Sequence, residues 1–173
     1  MDLKKTIRHV QDFPVKGIGF KDITTLLMDG PALAEAVRQM AQLYDRDRID
    51  LVLGIESRGF IFAGILAHLW GVGMVPVRKP DKLPHHTIRE TYELEYGQDA
   101  LEIHRDAVRK GQRVLIVDDL LATGGTASAT VRLVRRLGGE VAGCCFLIEL
   151  AFLNGRQRLS GTRVESLIHF DSE

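Results

Sequence analysis

The segment Val114-Leu115-Ile116-Val117-Asp118-Asp119-Leu120-Leu121-Ala122-Thr123-Gly124-Gly125-Thr126 joins a branched apolar run, two adjacent carboxylates, a Gly-containing turn and the start of a helical pattern. Each part has a chemical use. Gly124 and Gly125 let the backbone approach a ligand closely, and the free N–H groups of the following helix start, with the helix dipole, favour a phosphate dianion. Thr123 and Thr126 add hydroxyl donors. Consecutive strand residues alternate sides, so Asp118 and Asp119 are not expected to face one substrate atom as a glycosidase-like acid/base dyad. One of them can accept hydrogen bonds from a sugar diol.

Other readings of this loop fail on composition. A Walker loop needs Lys before the Ser/Thr, and the dinucleotide fingerprint needs a different glycine spacing. As plain helix capping, two Asp followed by Thr-Gly-Gly-Thr straight after a buried strand is uneconomical.

The elements that must position this turn are legible as an alternation. Pro31 opens a helix with apolar positions Leu33, Ala36, Val37, Met40 and Leu43, and residues 50–55 are a compact strand. A helix over 60–70, strands over 74–77 and 114–117, a helix over 125–137 and strands over 141–148 and 164–170 follow. The expectation is a single α/β domain over 1–173, with a central, mainly parallel sheet flanked by helices. Leu3, Ile7 and Val10 suggest a short N-terminal helix. The polar stretch 79–90, with two prolines and two histidines, followed by the alternating residues 91–96, reads as a mobile flap ending in a β-ribbon.

Bulk properties narrow the partners. The 173 residues carry 23 Lys+Arg against 23 Asp+Glu, with a pI near 7.0. That balance argues against holding nucleic acid or an anionic membrane by bulk charge and points to a small partner. Hydrophobic residues at 45% exclude a disordered chain. Residues 59–77 lack Asp, Glu, Lys and Arg, but Gly71, Gly73 and Pro76 break the run, so a membrane span is rejected. No secretory leader is recognised, and adjacent Cys144 and Cys145 read as buried thiols in a reducing compartment, so cytoplasmic residence is expected. His85 and His86 lack metal-ligand spacing and read as solvated; His68, on an apolar helix, reads as a core residue.

The acidic doublet and the turn after it resemble the binding motif for phosphoribosyl diphosphate (PRPP) of the type I phosphoribosyltransferases. Phe13-Pro14, Gly17-Ile18-Gly19-Phe20-Lys21-Asp22-Ile23-Thr24, Gly54-Ile55-Glu56-Ser57-Arg58-Gly59-Phe60, Arg78-Lys79, Lys82-Leu83-Pro84 and Leu94-Glu95-Tyr96-Gly97 extend the likeness to the adenine-using branch of that family, nearly end to end.

The resemblance implies a type I phosphoribosyltransferase fold with a flexible flap at about 79–97 and a purine-binding segment at about 1–30. It implies attack of adenine on the anomeric carbon of PRPP, with AMP and diphosphate as products and a transition state of oxocarbenium character. Ala122, Thr123, Gly124, Gly125 and Thr126 match the 5′-phosphate cradle. Asp118 and Asp119 match the acidic pair, one of which holds the ribose hydroxyls and favours developing positive charge. Glu56, Ser57, Arg58, Arg78, Lys79, Lys82 and Tyr96 match the diphosphate side, and in the family the Arg can reach a partner subunit's site. Taken alone, Ser57 would be a helix cap and the basic residues surface charge. Glu95 matches the acid/base on the flap, although a lone Glu on an alternating ribbon would ordinarily face solvent. Gly19, Phe20 and Lys21 match the adenine-binding segment, with Leu150 as a second wall; Gly19 replaces a branched apolar residue, but the contact there is through backbone. Mg2+ is expected on PRPP itself, with no protein metal ligands, and the assembly is expected to be a homodimer.

Two rivals remain at this level. A transferase for 6-oxopurines would need only a slightly re-aimed backbone pocket. A PRPP-sensing regulator without turnover would usually add a DNA-binding module or a basic face.

Overall fold

The computed structural model describes residues 1–93 and 97–172. Chain order begins with a 3-10 turn (Leu3–Thr6), capped by the Asp2 carboxylate on the Lys4 N–H, then strands β1 (Arg8–Val10) and β2 (Phe20–Asp22), paired antiparallel. The expected helix through Val10 is therefore corrected: pairing with β2 draws Arg8–Val10 into extended form, and tertiary pairing overrides a weak periodicity over so short a stretch. Helix α1 (Thr24–Met28) leads into α2 (Gly30–Gln42), which the Asp29 carboxylate caps through the Ala32 N–H at 3.1 Å, with Pro31 in the first turn.

Strand β3 (Leu51–Ile55), helix α3 (Gly59–Trp70) and strand β4 (Gly73–Val77) follow. A ribbon of β5 (Thr87–Glu93) and β6 (Gln98–His104) precedes β7 (Arg113–Leu121), α4 (Gly125–Arg136), β8 (Glu140–Leu150) and β9 (Val164–Phe170). The main sheet runs β4-β3-β7-β8-β9, and all four pairings are parallel. Its central strands β3, β7 and β8 are largely buried on both faces, which is why they read as continuous apolar runs. Val52, Leu115, Val117, Cys145 and Leu147 join the core under α2 and α3, whereas Leu53, Val114, Ile116, Cys144 and Phe146 join the core under α4 and the ribbon. The two cysteines thus lie on opposite faces, both buried and free. Burial pushes the Cys144 thiol up to about 12 and raises Cys145 further.

Strand β7 runs past Val117, so Asp118 and Asp119 lie within a paired strand and not beyond it; Leu120 still pairs with Ile148 of the long β8. His68 is exposed, because α3 buries Phe62, Ala63, Leu66, Ala67 and Trp70 and turns His68 outward. His85 and His86 are exposed, as expected.

The stretch read as a flap touches α4 and β6 through particular residues. Glu90 takes Arg132 at 2.6 Å and Arg136 at 2.8 Å from α4, and Arg78 pairs across to Glu102 of β6. Glu95 and Tyr96 lie outside the described residues.

Candidate active site

In an open parallel sheet, ligands bind at the carboxyl ends of the strands where the winding direction reverses. Here β3 has β4 on one side and β7 on the other, so the reversal lies between β3 and β7. The two loops singled out by sequence leave those two strands: residues 56–59 after β3 and 122–126 after β7.

Gly124 is left-handed (φ 81°) at the N-cap of α4, and no side chain caps that end. The first N–H groups of α4 are therefore open to a ligand. With Asp118, Leu120, Leu121 and Phe146, residues 122–127 enclose a small cavity of about 70 Å³. Larger cavities lie elsewhere, among them one of about 560 Å³ between α2 and α3 and one of about 630 Å³ at the amino-terminal rim of the sheet. Size does not locate the chemistry in this fold; convergent polar groups do.

The acidic pair reaches across the reversal. Arg58 Nε donates to Asp119 Oδ2 at 2.6 Å, linking the two loops, and Asp119 is only 4% exposed. Asp118 packs on the start of α3, where a Cβ at Gly59 would lie 2.8 Å from its Oδ1. Both carboxyl groups thus reach adjacent residues of the same turn, a closer approach than strict strand alternation suggests. Burial and the neighbouring Asp119 carboxylate push the Asp118 carboxyl well above the usual range. Ionisation of one acid is thereby disfavoured while its neighbour is ion-paired with Arg58, two environments within one doublet.

On the other loop the peptide Glu56-Ser57 is cis. Glu56 does not stand apart as a ligand: it accepts from Lys82 Nζ at 2.9 Å, the Lys79 N–H at 2.8 Å and Arg78 Nε at 3.3 Å. Burial works against its ionisation, but these donors outweigh it and hold its pKa below the ordinary value. Lys79 extends its ammonium to Tyr92 and to Asp99, where the contact is very short. The cationic cluster is thus gathered but internally neutralised.

The segment Gly19-Phe20-Lys21 sits beside this turn. The Phe20 ring meets Phe13 edge-on at 5.1 Å and carries the Arg58 guanidinium at 5.1 Å. Lys21 is buried, with Nζ 2.9 Å from His9 Nδ1 and 4.5 Å from the centre of the Phe170 ring. A Cβ at Gly19 would lie 2.6 Å from the His9 ring, so His9 fills the space a side chain there would take. Leu150 closes β8 at the same end of the sheet, paired with Phe170. Sequence reasoning missed His9, Tyr92, Asp99 and Arg158, whose guanidinium comes 3.5 Å from the Cβ position of Gly125. Each is brought in by long-range pairing and carries no local motif.

Among the described residues, no group of three or more His, Cys, Asp or Glu is arranged to hold a metal ion, and no helix is long and apolar enough to cross a membrane.

Comparison with known proteins agrees with this geometry. The phosphoribosyl transferase domain profile matches residues 24–166. An adenine phosphoribosyltransferase of Clostridium perfringens is 57% identical over 171 residues, covering 99% of each chain. The crystal structure of the adenine phosphoribosyltransferase of Thermoanaerobacter pseudethanolicus superposes with a TM-score of 0.95 at 54% identity, covering 98% of each chain. That of Saccharomyces cerevisiae, complexed with an imino-altritol bisphosphate and adenine, gives 0.88 at 39% identity, covering 95% of this chain and 96% of the other.

Proposed function

We infer that this chain, which belongs to the phosphoribosyl transferase family, is an enzyme transferring the 5-phosphoribosyl group of PRPP to adenine, with AMP and diphosphate as products. The observation that carries the reading is the reversal point itself, where the turn with an open helix start and the turn bearing the cations leave adjacent strands and are linked through the acidic doublet.

Ala122, Thr123, Gly124, Gly125 and Thr126 hold the 5′-phosphate through backbone N–H groups and hydroxyls. Asp118 and Asp119 take the ribose hydroxyls and favour the positive charge that builds on the sugar as the C–O bond to diphosphate breaks. For Asp119 to do so, Arg58 must exchange that carboxylate for an oxygen of the departing diphosphate. Ser57, Arg78, Lys79, Lys82 and Tyr96 share the diphosphate, with Glu56 arraying the cations. Gly19, Phe20 and Lys21 hold the base, with Leu150 as the further wall, and Glu95 manages the purine proton as the flap closes and excludes water.

Mg2+ fits this donor set as an ion carried on PRPP oxygens: the nearby carboxylates are hard oxygen donors, but Asp119 is ion-paired with Arg58 and Asp118 is packed against Gly59, which is no cage. When bound it neutralises charge on the diphosphate. The chain works as one domain and as a homodimer in the cytoplasm; the free buried thiols are consistent with a reducing compartment. Incubation with PRPP, Mg2+ and a mixture of adenine, hypoxanthine, guanine and xanthine tests the reading: AMP is expected as the main nucleotide, and IMP, GMP or XMP in its place would overturn it.

A further inference from the structure

Behind the phosphate cradle the chain makes an unusually close approach to itself. A Cβ on Gly155 would overlap the Ala122 carbonyl oxygen and come 3.1 Å from the Gly124 nitrogen; a Cβ on Gly124 would overlap the Gly155 carbonyl oxygen. The two backbones are stacked with no side chain between them. Gly155 opens a short 3-10 turn (Gly155–Leu159), entered through left-handed Asn154 (φ 55°), so nothing in regular secondary structure fixes its place.

What fixes it is Arg156. Its Nε and one terminal nitrogen donate to the two oxygens of Glu149, each at 2.7 Å, and its other terminal nitrogen donates to the Val164 carbonyl at 2.7 Å. Glu149 is 5% exposed and also accepts from the Ser166 hydroxyl, with His169 Nδ1 at 3.6 Å. A carboxylate buried this deeply is costly without such partners. In the β7–β8 pairing Glu149 stands opposite Leu121, the residue immediately before the cradle.

We propose that Arg156 is a positioning residue for the phosphate cradle: clamped on Glu149, it seats the Gly155 backbone against residues 122–124 and so presets the N–H groups that receive the 5′-phosphate of PRPP. This rests on the phosphoribosyl-transfer reading above. A fork-shaped guanidinium on a carboxylate fixes orientation as well as distance, which a point charge does less well.

Arg156→Met, Arg156→Lys and Gly155→Ala variants test it, read by melting temperature, KM for PRPP, KM for adenine and calorimetric binding of ribose 5-phosphate. Arg156→Met and Gly155→Ala should each raise KM for PRPP and weaken ribose 5-phosphate by about tenfold, with KM for adenine within about twofold. Arg156→Lys should recover part of the loss. A folded Arg156→Met or Gly155→Ala protein with unchanged ribose 5-phosphate affinity overturns the proposal, as does an equal loss for both substrates or failure of all three variants to fold, which would mark a purely structural brace. The wild-type protein is assayed alongside: if it forms no AMP, the transferase reading fails, whereas AMP formation with unaffected variants removes only the role of Arg156.

Discussion

The turn at residues 122–126 carries no charged side chain, whereas the turn after β3 and the strand end beside it gather Arg58, Arg78, Lys79 and Lys82. The first presents backbone donors already fixed by a helix start; the second presents cations already satisfied by Asp119, Glu56 and Asp99. On the function proposed above, two anionic ends of one substrate would meet opposite materials. The phosphate that stays with the product would be met by backbone dipoles already in place. The diphosphate that must leave would be met by side chains that exchange one carboxylate partner for another, so that release would restore their resting contacts.

The largest effect should come from the acid between the two loops. Asp118→Asn and Glu95→Gln are each expected to lower kcat by about 10²–10³-fold with the fold retained, measured by AMP formation and circular dichroism. Unchanged rates in both variants would remove the acidic roles altogether. Next, Lys82→Gln should weaken diphosphate by about tenfold and leave ribose 5-phosphate nearly untouched. Calorimetry with both ligands checks this, and equal losses would break the contrast. Raising salt from 50 to 500 mM should then cost several-fold more affinity for diphosphate than for ribose 5-phosphate, because exposed cations are screened and an enclosed helix start less so.

The smallest effect is a thermal one. Asp118 has a raised pKa in the folded chain, so the native state binds its proton more tightly than the unfolded state. Its contribution is present below the unfolded pKa of about 4 and is lost as pH rises toward the folded value. Asp118→Asn removes that loss, so the variant should gain about 2–4 °C in Tm over wild type between pH 4 and 8. Glu56 has the opposite sign: its lowered pKa gives stability above about pH 4 that disappears on acidification. Scans of both proteins across pH distinguish the two; a constant difference would mean that the Asp118 pKa is not raised on folding.

Much of this site was legible because it is local. Residues 118–126 form one contiguous strand-turn-helix, and the same apolar alternation that predicts β3, α3, β7 and α4 predicts where that turn must sit. The last strand, Val164–Phe170, is found at its expected bounds. The contacts that make the loops a site were not legible. Arg58 and Asp119 are 61 positions apart, and no spacing rule links them. Likewise β6 carries no motif of its own: it buries Leu101 and Ile103 in the core under α4. The N-terminal pattern misled because three apolar residues cannot choose between a helix and a strand whose partner lies ten residues downstream.

The division of Cys144 and Cys145 between the two cores makes the chain its own unfolding clock. Each sulfur is sealed beneath a different layer of helices, and both are held as unreactive thiols, so an alkylating reagent can reach them only when the corresponding layer lifts. Mass spectrometry that separates single from double alkylation would report whether the two halves open together or one at a time.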